Sequence, residues 1–140
     1  MVRARHLLRT GKSNEGVAIL QDSLEVYRKL ASDFPQTPAY RLFQAKTSNF
    51  LAAEALRNGS IENAGDLASN SLRLIDDLII DQGSIAEYLP VRIEALAVLV
   101  SSSKENSESK REQLSTACRE LEKINPNHPS LDSQLLQQSR

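Results

Sequence analysis

Residues 51–72 read LAAEALRNGSIENAGDLASNSL, and the fold is decided at their centre. Gly59 separates two stretches that each carry apolar residues at helical spacing. Upstream lie Phe43, Phe50, Leu51 and Ala55; downstream lie Ile61, Ala64, Leu67, Ala68, Leu72, Ile75 and Leu78. Recurrence at three and four residues marks one face of an α-helix. A glycine placed just past the first stretch suits a helix end, where a left-handed residue is needed. Ser60 then supplies an N-cap for the second stretch. The pattern predicts a helical hairpin, opened by Thr37 as N-cap with Pro38 at the first helical position and closed near Gly83.

Outward from this hairpin, a shift of 48 residues brings the chain into register with itself. Ala4 meets Ala52, Leu8 meets Leu56, Arg9 meets Arg57 and Gly11 meets Gly59. The same shift pairs Ser23 with Ser71, Leu24 with Leu72, Leu30 with Leu78, Asp33 with Asp81, Tyr40 with Tyr88 and Leu51 with Leu99. Identities at a single ungapped offset, falling on turn and core positions, read as an internal repeat. In the first unit Gly11 ends a short helix, Ser13 caps the next, and Pro35 stops it after Leu20, Leu24, Tyr27 and Leu30. In the third, Ser84 and Glu87 are spaced as a capping box, and Pro90 requires a helix start between Ile85 and Pro90. The polar linker 101–107 follows, then a second box at Ser109 and Glu112 leads into Leu114, Ala117, Cys118, Leu121 and Ile124. Asn125 and Pro126 break the chain, and 129–138 reads as a last short helix. The expectation is an all-α chain: five long helices and two shorter terminal ones, in consecutive antiparallel hairpins. Leu20, Leu24, Leu51, Leu67, Leu72, Leu96 and Leu99 are the expected core.

Composition agrees. The 140 residues are 40% apolar and 25% charged, with few aromatic, glycine or proline residues, the balance of one globular, helix-rich domain. Charge is uneven: the first twelve residues carry Arg3, Arg5, Arg9 and Lys12 and no acid, whereas 59–108 hold nine acids against three bases. Solvated helix faces account for such runs. Cys118, the only cysteine, cannot form an internal disulfide and sits at an apolar helical position, as a small buried thiol would. The run Ile93 to Val100 is too short to span a bilayer, and the basic start has no apolar segment of signal-peptide length, so a soluble chain is expected.

Catalytic motifs are lacking. Asp33-Phe34-Pro35 has Pro where a kinase Asp-Phe-Gly has Gly, and no catalytic or phosphate-binding loop accompanies it, so it reads as a helix stop. His6 and His128 have no partners at metal-ligand spacing, and His128 reads as a turn residue. Asp76, Asp77 and Asp81 lack the glycine turn of a calcium loop and read as solvated charge. The basic N-terminal cluster has no aromatic or Gly-rich motif to support nucleic-acid recognition. Neither an enzyme nor a nucleic-acid binder is expected, and no cofactor or metal.

The hairpin residues resemble the tetratricopeptide (TPR) repeat, in which a Gly lies between the helices and small residues follow five and twelve positions later. Gly11 is followed so by Gly16 and Ser23, and Gly59 by Ala64 and Ser71. Small residues let two antiparallel helices approach closely. The 48-residue period exceeds the TPR unit of 34, about two further turns on each helix. The resemblance implies a single TPR-like domain over 1–140, with units at 1–35, 36–83 and 84–126 and a terminal helix at 129–139, stacked as a short right-handed solenoid. The stretch LEVYRKLASDFPQTPAYR, 24–41, is similar to the long-period TPR regions C-terminal to the catalytic domain of bacterial serine/threonine protein kinases. That likeness implies a scaffold or regulatory piece of a larger signalling protein, cytoplasmic, or extracytoplasmic if the parent kinase is membrane-anchored. TPR first helices line the inner surface where ligands bind. Arg5, Arg9, Lys46, Asn49, Ala53, Leu56 and Arg57 fall there by register. These residues would suit a protein or peptide partner with an acidic segment. The rival expectation is a spacer or self-association element with no peptide ligand. The 48-residue counterpart of Pro38 precedes Met1, so a fragment of a longer array, or pairing with a second copy, is also expected.

Overall fold

A computed structural model of the chain describes residues 13–83, 86–102 and 107–132. Five α-helices lie within them: α1 (Ser13–Asp33), α2 (Pro38–Arg57), α3 (Ile61–Gln82), α4 (Tyr88–Ser102) and α5 (Ser107–Ile124). A 3-10 turn, Pro129–Asp132, follows, and no strand occurs among the described residues. The all-α expectation holds. No described helix is long and apolar enough to cross a membrane.

The turns form where the sequence places them. α1 stops at Asp33, ahead of Pro35, with Phe34 N–H closing on Leu30 C=O at 2.8 Å. Pro38 opens α2 after an extended Thr37, although the Thr37 side chain makes no capping bond. At the end of α2, Gly59 adopts φ +81°, Gly59 N–H reaches Leu56 C=O and Ser60 N–H reaches Ala55 C=O at 2.8 Å. This paired closure is a Schellman motif, which satisfies carbonyls the helix end would otherwise leave open. Pro90 falls in the first turn of α4, where a missing N–H costs nothing.

Connections this short between packed helices force neighbours to run antiparallel. α1 packs on α2, α2 on α3, α3 on α4 and α4 on α5, and α2 also touches α4, which runs in its own direction. Three apolar clusters fill the contacts. Leu20, Leu24 and Leu51 join α1 to α2. Leu42 and Ala45 of α2 sit among Ile75 and Leu78 of α3 and Tyr88 and Val91 of α4. The largest gathers Ala64, Ala68 and Leu72 of α3, most of α4, Leu114, Cys118 and Leu121 of α5, and Leu131. Helix α4 is buried nearly all round, as a central helix should be. Ala52, Ala64 and Ala68 are fully buried, and Ser71 Oγ donates to Ala45 C=O at 3.1 Å, a direct bond from α3 to α2.

Three expectations need correction. Leu67 is half-buried, lying at the margin between two clusters. Ser109 lies inside α5, which already begins at Ser107, so it caps nothing; its Oγ is within 3.5 Å of Gln113 Nε2 one turn on. Asp76 and Asp81 are not merely solvated: Asp76 Oδ1 pairs with Arg92 Nε at 3.0 Å and Asp81 Oδ2 with Arg41 Nη1 at 2.9 Å, joining α3 to α4 and to α2. The helix ending at Gly11, the Ser84 cap and 133–138 lie outside the described residues.

Candidate binding groove

Because α2 and α4 run the same way, residues one turn apart on each form two parallel rows. Lys46 and Phe50 make one row and Pro90 and Glu94 the other, flanking a groove of about 640 Å³. Glu87 and Ala86 lie at its α4 entrance, and His128, Pro129 and Ser130 close a further side. That closing wall is built by local bonds. Asn125 Oδ1 accepts from Asn127 N–H at 3.3 Å, Asn125 C=O from His128 N–H at 3.1 Å, and His128 Nδ1 from Ser130 N–H at 3.1 Å. Buried Leu131 anchors the turn to the core, so the wall is held by packing as well.

The groove pairs apolar surface from Phe50, Pro90, Val91 and Pro129 with Lys46, Glu87 and Glu94. Such a lining suits a partner with apolar anchors and both signs of charge. A second cavity of about 350 Å³ lies over α2 between α1 and α3, with Val17, Leu24, Leu51 and Leu67 around the buried Glu54. A third, about 580 Å³, rests on α5 alone and has no facing wall. Among the described residues no three His, Cys, Asp or Glu side chains gather as metal ligands would. Cys118 is fully buried in the largest core cluster.

Of the seven residues expected to bind a partner, Arg5 and Arg9 lie outside the described residues. Lys46, Asn49, Ala53 and Leu56 form one stripe along α2, but only Lys46 lines the groove. Asn49 is 4% exposed; its Nδ2 donates to Val91 C=O at 3.0 Å and its Oδ1 has no partner among the described residues. Ala53 is half-buried, and Leu56 packs against the α4-centred core. Arg57 is exposed and reaches back to the buried carboxylate of Glu54 at 3.2 Å. The residues of the anion-binding set are thus spread over different tasks. Sequence reasoning missed Phe50, Pro90, Glu94 and the His128 wall as groove residues. The first three share the i, i+4 spacing of their rows, a signal open to reading, whereas the wall depends on where the last turn folds back.

Comparison with known proteins returns nothing: no family model, no curated protein and no solved structure matches the chain.

Proposed function

We propose that the chain is a non-catalytic protein-interaction module of TPR-like hairpins, stacked as a short right-handed solenoid, that holds a segment of another protein between α2 and α4. The observation carrying this reading is the groove itself: apolar surface and charge on two parallel first helices, walled by a hydrogen-bonded turn. Leu24 and Leu72 are both buried, as are Leu51 and Leu99. Ala64 and Ser71, the small residues after Gly59, are fully buried, as a TPR hairpin requires.

Mixed charge refines the partner. With Glu87 and Glu94 opposite Lys46, a segment with apolar anchors, an acidic group toward α2 and a basic group toward α4 fits better than a uniformly acidic one. A scaffold or regulatory role inside a larger cytoplasmic signalling protein, kinase-associated as the likeness of 24–41 implies, is the setting we propose.

The test is selection of peptides from a random display library, followed by calorimetric titration of the parent and of Phe50→Ser and Glu94→Lys variants. The account expects a selected peptide to lose at least about tenfold in affinity with each variant, the size of one lost anchor or charge contact. Peptides that bind both variants as well as the parent, or self-association with no selected peptide, would favour the spacer role.

A further inference from the structure

The cavity over α2, between α1 and α3, holds a charge that packing alone does not call for. Glu54 stands among its walls and is 3% exposed, with Val17, Leu24, Leu51 and Leu67 around it. A carboxylate with apolar neighbours and little water is costly unless a cation meets it. Its place on the helix adds to that cost. Glu54 lies in the last turn of α2, where the helix dipole favours positive charge and opposes negative. Among the described residues its counter-charge is Arg57, 3.2 Å from Oε2, but that side chain is 68% exposed and does not line the cavity. A guanidinium so open to solvent is a weak partner. Its contact is with Oε2, and a carboxylate accepts at both oxygens.

Apolar walls around a buried carboxylate have a chemical complement, a protonated amine on a short hydrocarbon stem. The volume of about 350 Å³ admits a small molecule or one long side chain. Gln21, Asn58 and Asn63, all exposed, put polar groups at the mouth. We propose that this cavity binds a primary alkylammonium group, its stem against Val17, Leu24, Leu51 and Leu67 and its ammonium on Glu54. A free aliphatic amine and a lysine side chain of another protein present the same chemistry. An anionic ligand is opposed both by Glu54 and by the end of the helix that carries it. The site shares no lining residue with the groove between α2 and α4, so it goes beyond the interaction role proposed above and does not depend on it.

The probe is n-pentylammonium, titrated at neutral pH into the isotope-labelled whole chain and followed by amide shifts, with n-pentanol as its uncharged match. Saturable shifts on Val17, Gln21, Asn58 and Asn63 are expected with the amine, and binding at least about tenfold weaker with the alcohol. Glu54→Gln keeps the size of the side chain and should weaken amine binding at least about tenfold, with folding checked by circular dichroism. Gln21→Lys, at an exposed position, brings a tethered ammonium to the mouth and should weaken it likewise. Glu94→Lys in the groove should leave it unchanged. Nα-acetyl-lysine N-methylamide separates the two sources: binding at least as tight as pentylammonium assigns the cavity to a partner's lysine, and exclusion assigns it to a free amine. Pentanol bound as tightly as the amine, or shifts centred away from the cavity, would overturn the proposal. So would amine binding undiminished by Glu54→Gln or, should that variant not fold, by Gln21→Lys.

Discussion

Individual residues in α2 and α3 carry polar groups into the interior, where their donors find partners. Thr47 Oγ1 returns its hydrogen bond to Phe43 C=O at 2.8 Å, Ser71 Oγ reaches across to Ala45 C=O, and Asn49 Nδ2 reaches Val91 C=O. A buried donor with a partner costs little, whereas a buried charge without one costs several kcal/mol. Asn49→Asp should therefore lower stability by about 3 kcal/mol or more in denaturant melts at pH 7, because the carboxylate loses the donor and gains a charge. A loss below 1 kcal/mol would place Asn49 nearer to water than it lies here. Two glycines should respond with opposite sign. Gly59, at φ +81°, has open space around it but the wrong backbone for a side chain, so Gly59→Ala should cost about 1 kcal/mol. Gly65 lies inside α3, where an added Cβ would meet Ser102 Oγ at an ordinary 3.5 Å, so Gly65→Ala should gain about 0.5–1 kcal/mol. Thermal melts that move the same way for both would contradict this backbone reading. The turn glycine was legible from its place between two long stretches rich in apolar residues. The inward turn of Asn49 was not, since an amide on a helix face looks the same in sequence whether it meets solvent or a neighbouring carbonyl.

At the scale of elements, apolar contact and charge contribute very unequally. Leu72 is buried between α3 and the α4 cluster, and Leu72→Ala should cost about 2–5 kcal/mol. The Arg92–Asp76 bridge is half in solvent on its acidic side, and Asp76→Asn should cost under about 1 kcal/mol, less still in high salt. Chemical denaturation of the two variants checks the contrast, and a larger loss from Asp76→Asn than from Leu72→Ala would reverse the account of what joins α3 to α4. Helix bounds were readable because prolines and glycines interrupt the apolar rhythm at 35, 38, 59, 83 and 126. The start of α5 was misread by three residues, since nothing in the serine-rich stretch before it fixes a first turn more firmly than Ser109 and Glu112. α2 has no single apolar stripe because it meets α1, α3 and α4 at once, so its periodicity could not say which side faces the groove.

Across the described residues, five helices each packed on the next leave the parallel faces of α2 and α4 side by side, and there the turn 125–130 comes back over the chain. The groove is a product of topology: its rows could be read from spacing, but its third wall could not, because the return of 126–130 is a contact distant in sequence. Its use as a binding site is the central claim. The most direct measurement is an amide chemical-shift map of the isotope-labelled chain saturated with a library-selected peptide. The account predicts that the largest shifts fall on Lys46, Phe50, Glu87, Val91, Glu94 and Ser130, with α1 and the outer face of α5 unmoved. Shifts centred instead on Glu108, Glu112, Thr116 and Arg119, or on the α1–α3 side around Gln21 and Asn63, would contradict it.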